Sequence, residues 1–513
     1  MNGAQALLRT LVAAGVDTCF ANPGTSEMHF VAGLDEVPGL RAIPALAEGV
    51  ATGAADGYAR IAGKPAATLL HCGPGLANGL ANLHNARRAG VPVLNLIGDQ
   101  AHHHRPLDPP LAADTEALAK TVSAWTRTSL DACAVAPDAA SAVAAARAGG
   151  GRIASLVLPS DVCWDEGAQV AAPQPVPPRA GVPDDRLAHA AACALEGEGT
   201  LLLLGQDALH GPGLALAARI AERTGARLLA GATVARMARG DGTPRIGRMP
   251  YAPEPATRLL AGVRRLLLVG ARRPVFAFAG PDGHQRPEPP GLHVALVAAP
   301  EEDVVCALGR LAERLGCAAT VDAPRRERPS PAAGDVSPQA FARSLGALLP
   351  PGAIVVDEGV SFGRAVFDGT LDAAAHDWLQ LTGGAIGMGL PVATGAAVAG
   401  AGRRVVVLQA DGSALYNVQA LWTQARERLD VTTVIFSNRR YAILHDEMRR
   451  VRATAGPAAS ALFSLGQPDI RWDQLANGFG VASGVAATMD QFNALFERSM
   501  ATAGPFLIEL AVP

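Results

Sequence analysis

The sequence predicts an α/β protein built from three doubly wound parallel-sheet domains in series. Three observations carry this reading. The chain has 513 residues, enough for about three domains at roughly 150 residues each. Two proline-rich segments, residues 171–184 (AAPQPVPPRAGVPD) and 322–338 (DAPRRERPSPAAGDVSP), divide it, because proline neither continues a helix nor fits a central strand. Between them, short apolar runs alternate with helix-period patterns, the signature of parallel sheets covered by helices. The expected domains are residues 1–175, 185–322 and 338–513.

Taken in order, MNGAQALLRTLVAAGVD opens the chain as an amphipathic helix with Leu7, Leu8 and Leu11 inward. It has no basic leading region and does not read as a targeting leader. Strands are expected at Thr18–Ala21, Ala67–His71, Val93–Ile97 and Ser155–Leu158 in the first segment. The middle segment supplies Leu201–Gly205, Leu266–Gly270 and His293–Val297. The last supplies Ala353–Asp357, Arg404–Ala410, Thr432–Ser437 and Phe506–Glu509. Open parallel sheets bind ligands at the carboxyl ends of their strands, so residues just after a strand carry most weight.

Composition removes several function classes. Acidic residues number 47 against 44 basic ones, with no basic face, which argues against nucleic acid as a partner. No apolar run approaches the roughly eighteen residues a membrane span needs. Seven cysteines (19, 72, 133, 163, 193, 306 and 317) are scattered without CxxC spacing. They indicate a reduced, cytoplasmic protein without a zinc ribbon. Only Lys64 and Lys120 are lysines, and neither lies in a GK[ST] loop. Schiff-base chemistry and Walker-type phosphoryl transfer each require a particular lysine and are not expected.

The strongest chemical signal lies in RRVVVLQADGSALYNVQALWTQARERLDVTTVIFSNRRYAIL. A strand runs into Asp411-Gly412-Ser413, a helix is expected from about Asn417 to Leu429, and a second strand ends at Asn438. Asp411 and Asn438 are 27 residues apart, about one βαβ repeat, and a right-handed crossover sets such strands side by side. A carboxylate and an amide oxygen at one sheet edge are hard ligands suited to Mg²⁺, with places left for phosphate oxygens. Gly412 permits close backbone approach, and the following helix N-terminus favours an anion. In isolation the same residues would read as a turn and a loop amide.

This segment resembles the diphosphate motif of thiamine-diphosphate enzymes, a Gly-Asp-Gly turn followed about 27 residues later by paired asparagines. Ala410 replaces the first glycine and Ser437 the first asparagine, and both side-chain ligands are kept. The resemblance implies that the backbone carbonyl of Arg440 is the third protein ligand of the metal. It also implies a bulky wedge, Ile386, in Gly383-Gly384-Ala385-Ile386-Gly387-Met388-Gly389, which forces the two cofactor rings into a bent V. Gly384, Gly412, Ser413 and Tyr441 are the further cofactor contacts it implies, and Leu444 joins the substrate pocket.

The first segment carries the partner half. Glu48, in ALAEGVATGAADGYAR, begins a helix among small apolar residues, where poor solvation raises a carboxyl pKa. Taken alone it also reads as a helix-start glutamate facing the dipole. The ADGYAR phrase resembles the A-x-GYAR of the decarboxylase and acetolactate-synthase branch. There a glutamate hydrogen-bonds the aminopyrimidine and promotes the tautomer that deprotonates the thiazolium, giving a C2 ylide. In Asn22-Pro23-Gly24-Thr25-Ser26-Glu27, Thr25 is expected as a helix cap. By resemblance to benzoylformate decarboxylase it contacts the substrate carboxylate. His71, ahead of Cys72-Gly73-Pro74-Gly75, matches a strand-end active-site histidine. Glu48, His71 and Thr25 are thus the catalytic candidates. His102, His103 and His104 are left open between solvated loop and pocket lining.

The resemblance covers the whole chain and implies pyrimidine-binding, central and diphosphate-binding domains. It implies thiamine diphosphate and Mg²⁺ as cofactors, with no FAD, and a homodimer or dimer of dimers acting on a 2-oxo acid. Ala279 stands where benzoylformate decarboxylase has a second histidine, and LAADTEALAK around Asp114 and Glu116 lacks the Phe-Gln-Glu phrase of acetolactate synthases. The expected reaction is decarboxylation through the ylide and an enamine, followed by carboligation. A non-ligating decarboxylase is the alternative, and a non-catalytic cofactor-binding relative the remote one.

Overall fold

In the computed structural model, residues 1–279, 283–320 and 326–513 are described. The part of the second linker at 322–325, and with it the expected end of the middle segment, lies outside them. Its remainder, 326–337, and residues 170–179 of the first linker region carry no helix or strand.

Three sheets form from the three segments. β1 (Thr18–Ala21), β2 (Arg41–Pro44), β3 (Ala66–Leu70), β4 (Val93–Asp99), β5 (Trp125–Thr128) and β6 (Ile153–Pro159) pair in parallel in the order β2-β1-β3-β4-β6-β5. The second sheet takes β7 (Thr200–Leu204) and β8 (Arg227–Ala230), passes over β9 (Met237–Arg239), and adds β10 (Gly247–Arg248), β11 (Arg265–Val269) and β12 (His293–Ala298). Its order is β10-β8-β7-β11-β12, again parallel throughout. The third contains β13 (Ile354–Glu358), β14 (His376–Gln380), β15 (Val405–Ala410), β16 (Val431–Ser437), β17 (Ala482–Ala486) and β18 (Phe506–Ala511). Its order is β17-β18-β16-β15-β13-β14-β9.

The third sheet departs from the expected all-parallel form. β9 comes from the middle segment and lies antiparallel to β14. Its anchor is Arg239, fully buried with its guanidinium 3.6 Å from the centre of the Phe367 ring and 4.7 Å from that of Trp378. Cation–π contact substitutes there for solvent, and burial pulls the Arg239 pKa down to about 9.

Two topological switch points set the sites. In the first sheet, β1 leads to β2 on one side and β3 to β4 on the other, so the chain runs off in opposite directions after β1 and β3, the arrangement at which open sheets form a ligand crevice. In the third, β13 leads to β14 and β15 to β16 in opposite directions. Ligands of open α/β sheets bind in such crevices.

A helix pair joins these sheets. Glu48–Ala62 is rich in alanine and glycine and stops at Gly63, whose φ of +67° supplies the left-handed cap. It packs on Gly389–Ala399 so closely that a side chain at Gly57 would strike the Val392 carbonyl. Across this contact Arg60 is held in a buried pair with Asp56 (2.7 Å) and donates to the Gln380 carbonyl at 2.7 Å. One apolar cluster spans the first and third segments and another the middle and third, with Phe341, Phe436 and Phe492 at the centre of the latter. Among the described residues no helix is long and apolar enough to cross a membrane.

Candidate active site

The register of the third sheet brings the metal candidates together. β15 and β16 are neighbours, paired from Val405↔Val431 to Ala410↔Phe436, so Asp411 and Asn438 emerge from one edge. The intervening connection differs from the single helix expected. A short turn of helix, Asp411–Ala414, is followed by Ala420–Arg426, and Asn417 lies in the turn between. The break leaves Asn417 free to donate from Nδ2 to the Gly387 carbonyl at 2.7 Å.

Asp411 is buried, and its two oxygens accept the N–H of Gly412 (2.8 Å) and of Arg439 (2.6 Å). Arg439 reaches it from a left-handed conformation, φ +58°. Burial pushes the Asp411 carboxyl above its ordinary range, and the N–H donors oppose that shift. Asn438 Oδ1 accepts the N–H of Arg440 at 3.1 Å, and the Arg440 carbonyl accepts that of Ala442 at 3.0 Å. A Cβ at position 412 would collide with the Tyr441 ring, so glycine is what keeps this floor open. Asp411, Gly412, Ser413, Asn438, Arg440, Tyr441 and Ile386 all line one cleft with Gly359 and Val360 from the β13 loop. A buried carboxylate that pairs with no cation among the described residues, beside an amide oxygen and a carbonyl, is a donor set that fits Mg²⁺.

The glycine-rich turn bearing Ile386 is fixed on both sides. Glu358, buried at the end of β13, accepts the N–H groups of Gly387 and Gly389 (both 2.6 Å) and the Gln409 amide (3.0 Å). Burial raises its pKa, and those donors oppose the rise. Gln409 is the register partner of Glu358 and also donates to Ser413 Oγ at 2.6 Å. On the other side Asn85, from the helix Cys72–Ala89, donates to the Ala385 carbonyl at 2.7 Å and accepts its N–H at 3.2 Å. Gly384 supplies a φ of +82° in this turn but is exposed and outside the cleft lining. Leu444 is also outside the lining and 38% exposed, one residue beyond Ile443 on the helix Ala442–Arg450.

The second cluster lies at the switch point of the first sheet. His71 follows β3 at the head of the helix Cys72–Ala89 rather than ending the strand. Its Nδ1 lies 3.1 Å from Glu27 Oε2 and 3.1 Å from Ser26 Oγ. Glu27 is buried and accepts the N–H of Gly24 at 2.6 Å. That contact corrects the capping expectation, since Glu27 satisfies the turn and the Thr25 side chain is left exposed. Cys72 is buried beside them, and desolvation pushes its thiol up to about 11. Glu48 begins its helix as expected, 8% exposed, and accepts from Asn78 Nδ2 at 3.2 Å. Any side chain at Gly75 would press on its carboxylate.

Sequence reasoning missed Glu27, Asn78, Asn85, Glu358, Gln409 and Asn417. Glu27 follows Gly24 at capping-box spacing, and Glu358 stands at the end of a strand, so both carried a readable signal. The remainder matter only through contacts between separate elements, and among the described residues Asn85 alone of them hydrogen-bonds to another segment. His102, His103 and His104 are all exposed, and His102 Nδ1 lies 3.1 Å from Asp161. None of Thr25, Glu48 and His71 is among the residues that line the cleft around Asp411.

The thiamine pyrophosphate enzyme N-terminal TPP-binding domain matches residues 1–122, and the corresponding C-terminal TPP-binding domain matches residues 372–510. The chain belongs to the thiamine pyrophosphate enzyme family. Among curated relatives, this thiamine-diphosphate-dependent enzyme is 48% identical over 515 residues to a Mycobacterium tuberculosis protein provisionally named acetolactate synthase large subunit IlvX, covering 100% of this chain and 99% of that one. It is 28% identical over 525 residues to the benzoylformate decarboxylase of Pseudomonas aeruginosa, covering 97% and 96%. Among solved structures, the enzyme shares its fold with a Rhodococcus jostii thiamine diphosphate-dependent 4-hydroxybenzoylformate decarboxylase, at TM-score 0.86 and 24% identity over 100% and 99% of the two chains. A Mycobacterium smegmatis protein provisionally described as a thiamin diphosphate-dependent enzyme gives a TM-score of 0.84 at 26% identity, covering 100% of both.

Proposed function

We propose that this enzyme decarboxylates a 2-oxo acid and transfers the resulting acyl unit to a second carbonyl compound. When bound, thiamine diphosphate supplies the carbon nucleophile and electron sink that decarboxylation needs. The chain's own residues would do the rest. Asp411, Asn438 and the Arg440 carbonyl would hold Mg²⁺ and, through it, the diphosphate. Ile386, fixed by Asn85 and Glu358, would set the bend between the cofactor rings. Glu48 would hold a proton at its carboxylate against the aminopyrimidine, in a pocket where Asn78 orients it. His71, with Glu27 on Nδ1, would present its other ring nitrogen toward the substrate, and Thr25 and Leu444 would border the acyl group.

The observation that carries ligation over aldehyde release is the single histidine. Releasing an aldehyde requires a placed proton donor, and a positioned general acid contributes on the order of 10²–10⁴-fold. His71 would supply one such donor, but the position of the second histidine holds Ala279, in an exposed stretch. A carbonyl acceptor needs no such donor at the acyl carbon. Simple decarboxylation is the second reading, favoured by the His71–Glu27 pair itself.

That Glu48 is not among the residues lining the Asp411 cleft supports a dimer in which each site is completed by the partner. Analytical ultracentrifugation should find no active monomer. The decisive test of the reaction is incubation with pyruvate, 2-oxobutyrate and benzoylformate, singly and in pairs, with products identified by mass spectrometry. Coupled hydroxyketo products are expected; aldehyde as the sole product throughout would overturn ligation.

A further inference from the structure

Far from either cluster, at the edge of the second sheet, three soft or borderline ligand atoms converge. His189 and Cys193 are one helical turn apart on the helix Asp184–Ala194 and so share a face. His293 is the first residue of β12, the edge strand of that sheet. His189 Nε2 lies 3.1 Å from His293 Nε2 and 3.7 Å from Cys193 Sγ, and the three atoms all fall within 4.8 Å of one another.

Hydrogen bonding alone does not account for this arrangement. One imidazole nitrogen has a single hydrogen or a single lone pair, whereas His189 Nε2 faces a nitrogen and a sulfur together. A cation at the centre would satisfy all three. With Zn–N about 2.0–2.1 Å and Zn–S about 2.3 Å, tetrahedral edges come to roughly 3.3 Å for N···N and 3.6 Å for N···S. The observed separations lie close to both. Cys193 is 5% exposed, which shields the sulfur while the two imidazoles remain reachable from solvent. The neighbouring cation does not oppose binding, because Arg265, the register partner of His293, is paired with Glu196.

We propose that His189, Cys193 and His293 form a binding site for a divalent cation of the zinc class, with water in the fourth position, clipping the first helix of the middle segment to the edge of its sheet. The ligand set, two imidazoles and a thiolate, separates it from the oxygen-donor site at Asp411.

The test uses the full-length protein with thiamine diphosphate and Mg²⁺, stripped of transition metals by a chelator and then titrated with Co²⁺. One equivalent should produce a thiolate-to-cobalt charge-transfer band that Zn²⁺ abolishes. Cys193→Ser should lose the band, His293→Gln should weaken Co²⁺ binding about tenfold or more, and Asp411→Ala should keep the band. Turnover of His293→Gln should match that of the parent. Absence of the band at one equivalent, its survival in Cys193→Ser, or unchanged Co²⁺ affinity in His293→Gln would each overturn the assignment. His293 is exposed, so its variant remains informative even if Cys193→Ser fails to fold.

Discussion

Glu358 and Gly389 meet at 2.6 Å, carboxylate oxygen to backbone N–H, directly behind the switch point of the third sheet. The contact ties the end of β13 to the glycine-rich turn, and the same carboxylate holds Gly387 on the far side of Met388. Ile386 therefore lines the cleft from a turn whose backbone is held by a buried acid. Replacing one oxygen by an amide NH₂, as in Glu358→Gln, sets donor against donor. An unpaired buried N–H costs about 1–3 kcal/mol, so the variant should melt lower and bind thiamine diphosphate more weakly. Unchanged melting temperature and calorimetric affinity would remove Glu358 from the support of the site.

Asp411→Ala should abolish joint binding of thiamine diphosphate and Mg²⁺, because it deletes the one carboxylate in the cleft edge between β15 and β16. Asn438→Ala should weaken it to a lesser extent, since water can replace an amide oxygen on Mg²⁺. Isothermal calorimetry on both variants checks this ordering. Full-affinity binding to Asp411→Ala would refute the proposed ligand set.

Glu48→Gln should leave the fold and cofactor affinity intact and slow exchange of the thiazolium proton by about 10²–10⁴-fold, the usual worth of a positioned acid–base group. The amide still accepts from Asn78 but cannot take up a proton. Exchange followed by NMR at unchanged rate would eliminate the proton-relay role.

Stability should fall on acidification through His376. Its Nδ1 donates to the Ala374 carbonyl at 2.7 Å, and burial lowers its pKa to about 4 from an ordinary 6.5. The depressed value means the neutral form is the folded one. Its contribution is present above pH 6.5 and lost progressively as pH falls toward 4, with up to about 3 kcal/mol at stake. Thermal melts across this window should slope less steeply for His376→Phe than for the parent. Parallel slopes would assign the acid sensitivity elsewhere.

The sequence by itself determined the fold class, the order of the segments and the residues at strand ends. Buried parallel strands such as Val405–Ala410 and Val431–Ser437 are dominated by apolar and β-branched residues, and the polar residues just beyond them stand out: Asp411 and Asn438 were legible for this reason. Glu48 was legible from its small-residue helix and the phrase after it. Edge strands were not. Arg41–Pro44, Trp125–Thr128 and Ala482–Ala486 are short and partly exposed, and β14, His376–Gln380, hides its burial behind His376, Asp377 and Gln380. Asp377 can be buried there only because Arg236 and Arg403, distant in sequence, reach it at 2.9 and 2.7 Å. The same physics governs the site. Glu358, Asn85 and Asn417 bond backbone groups contributed by other elements, and His189, Cys193 and His293 converge from positions about a hundred residues apart. Local pattern records which face of an element is apolar. Which polar groups meet across elements is decided only when those faces are buried and the unpaired donors and acceptors must find partners.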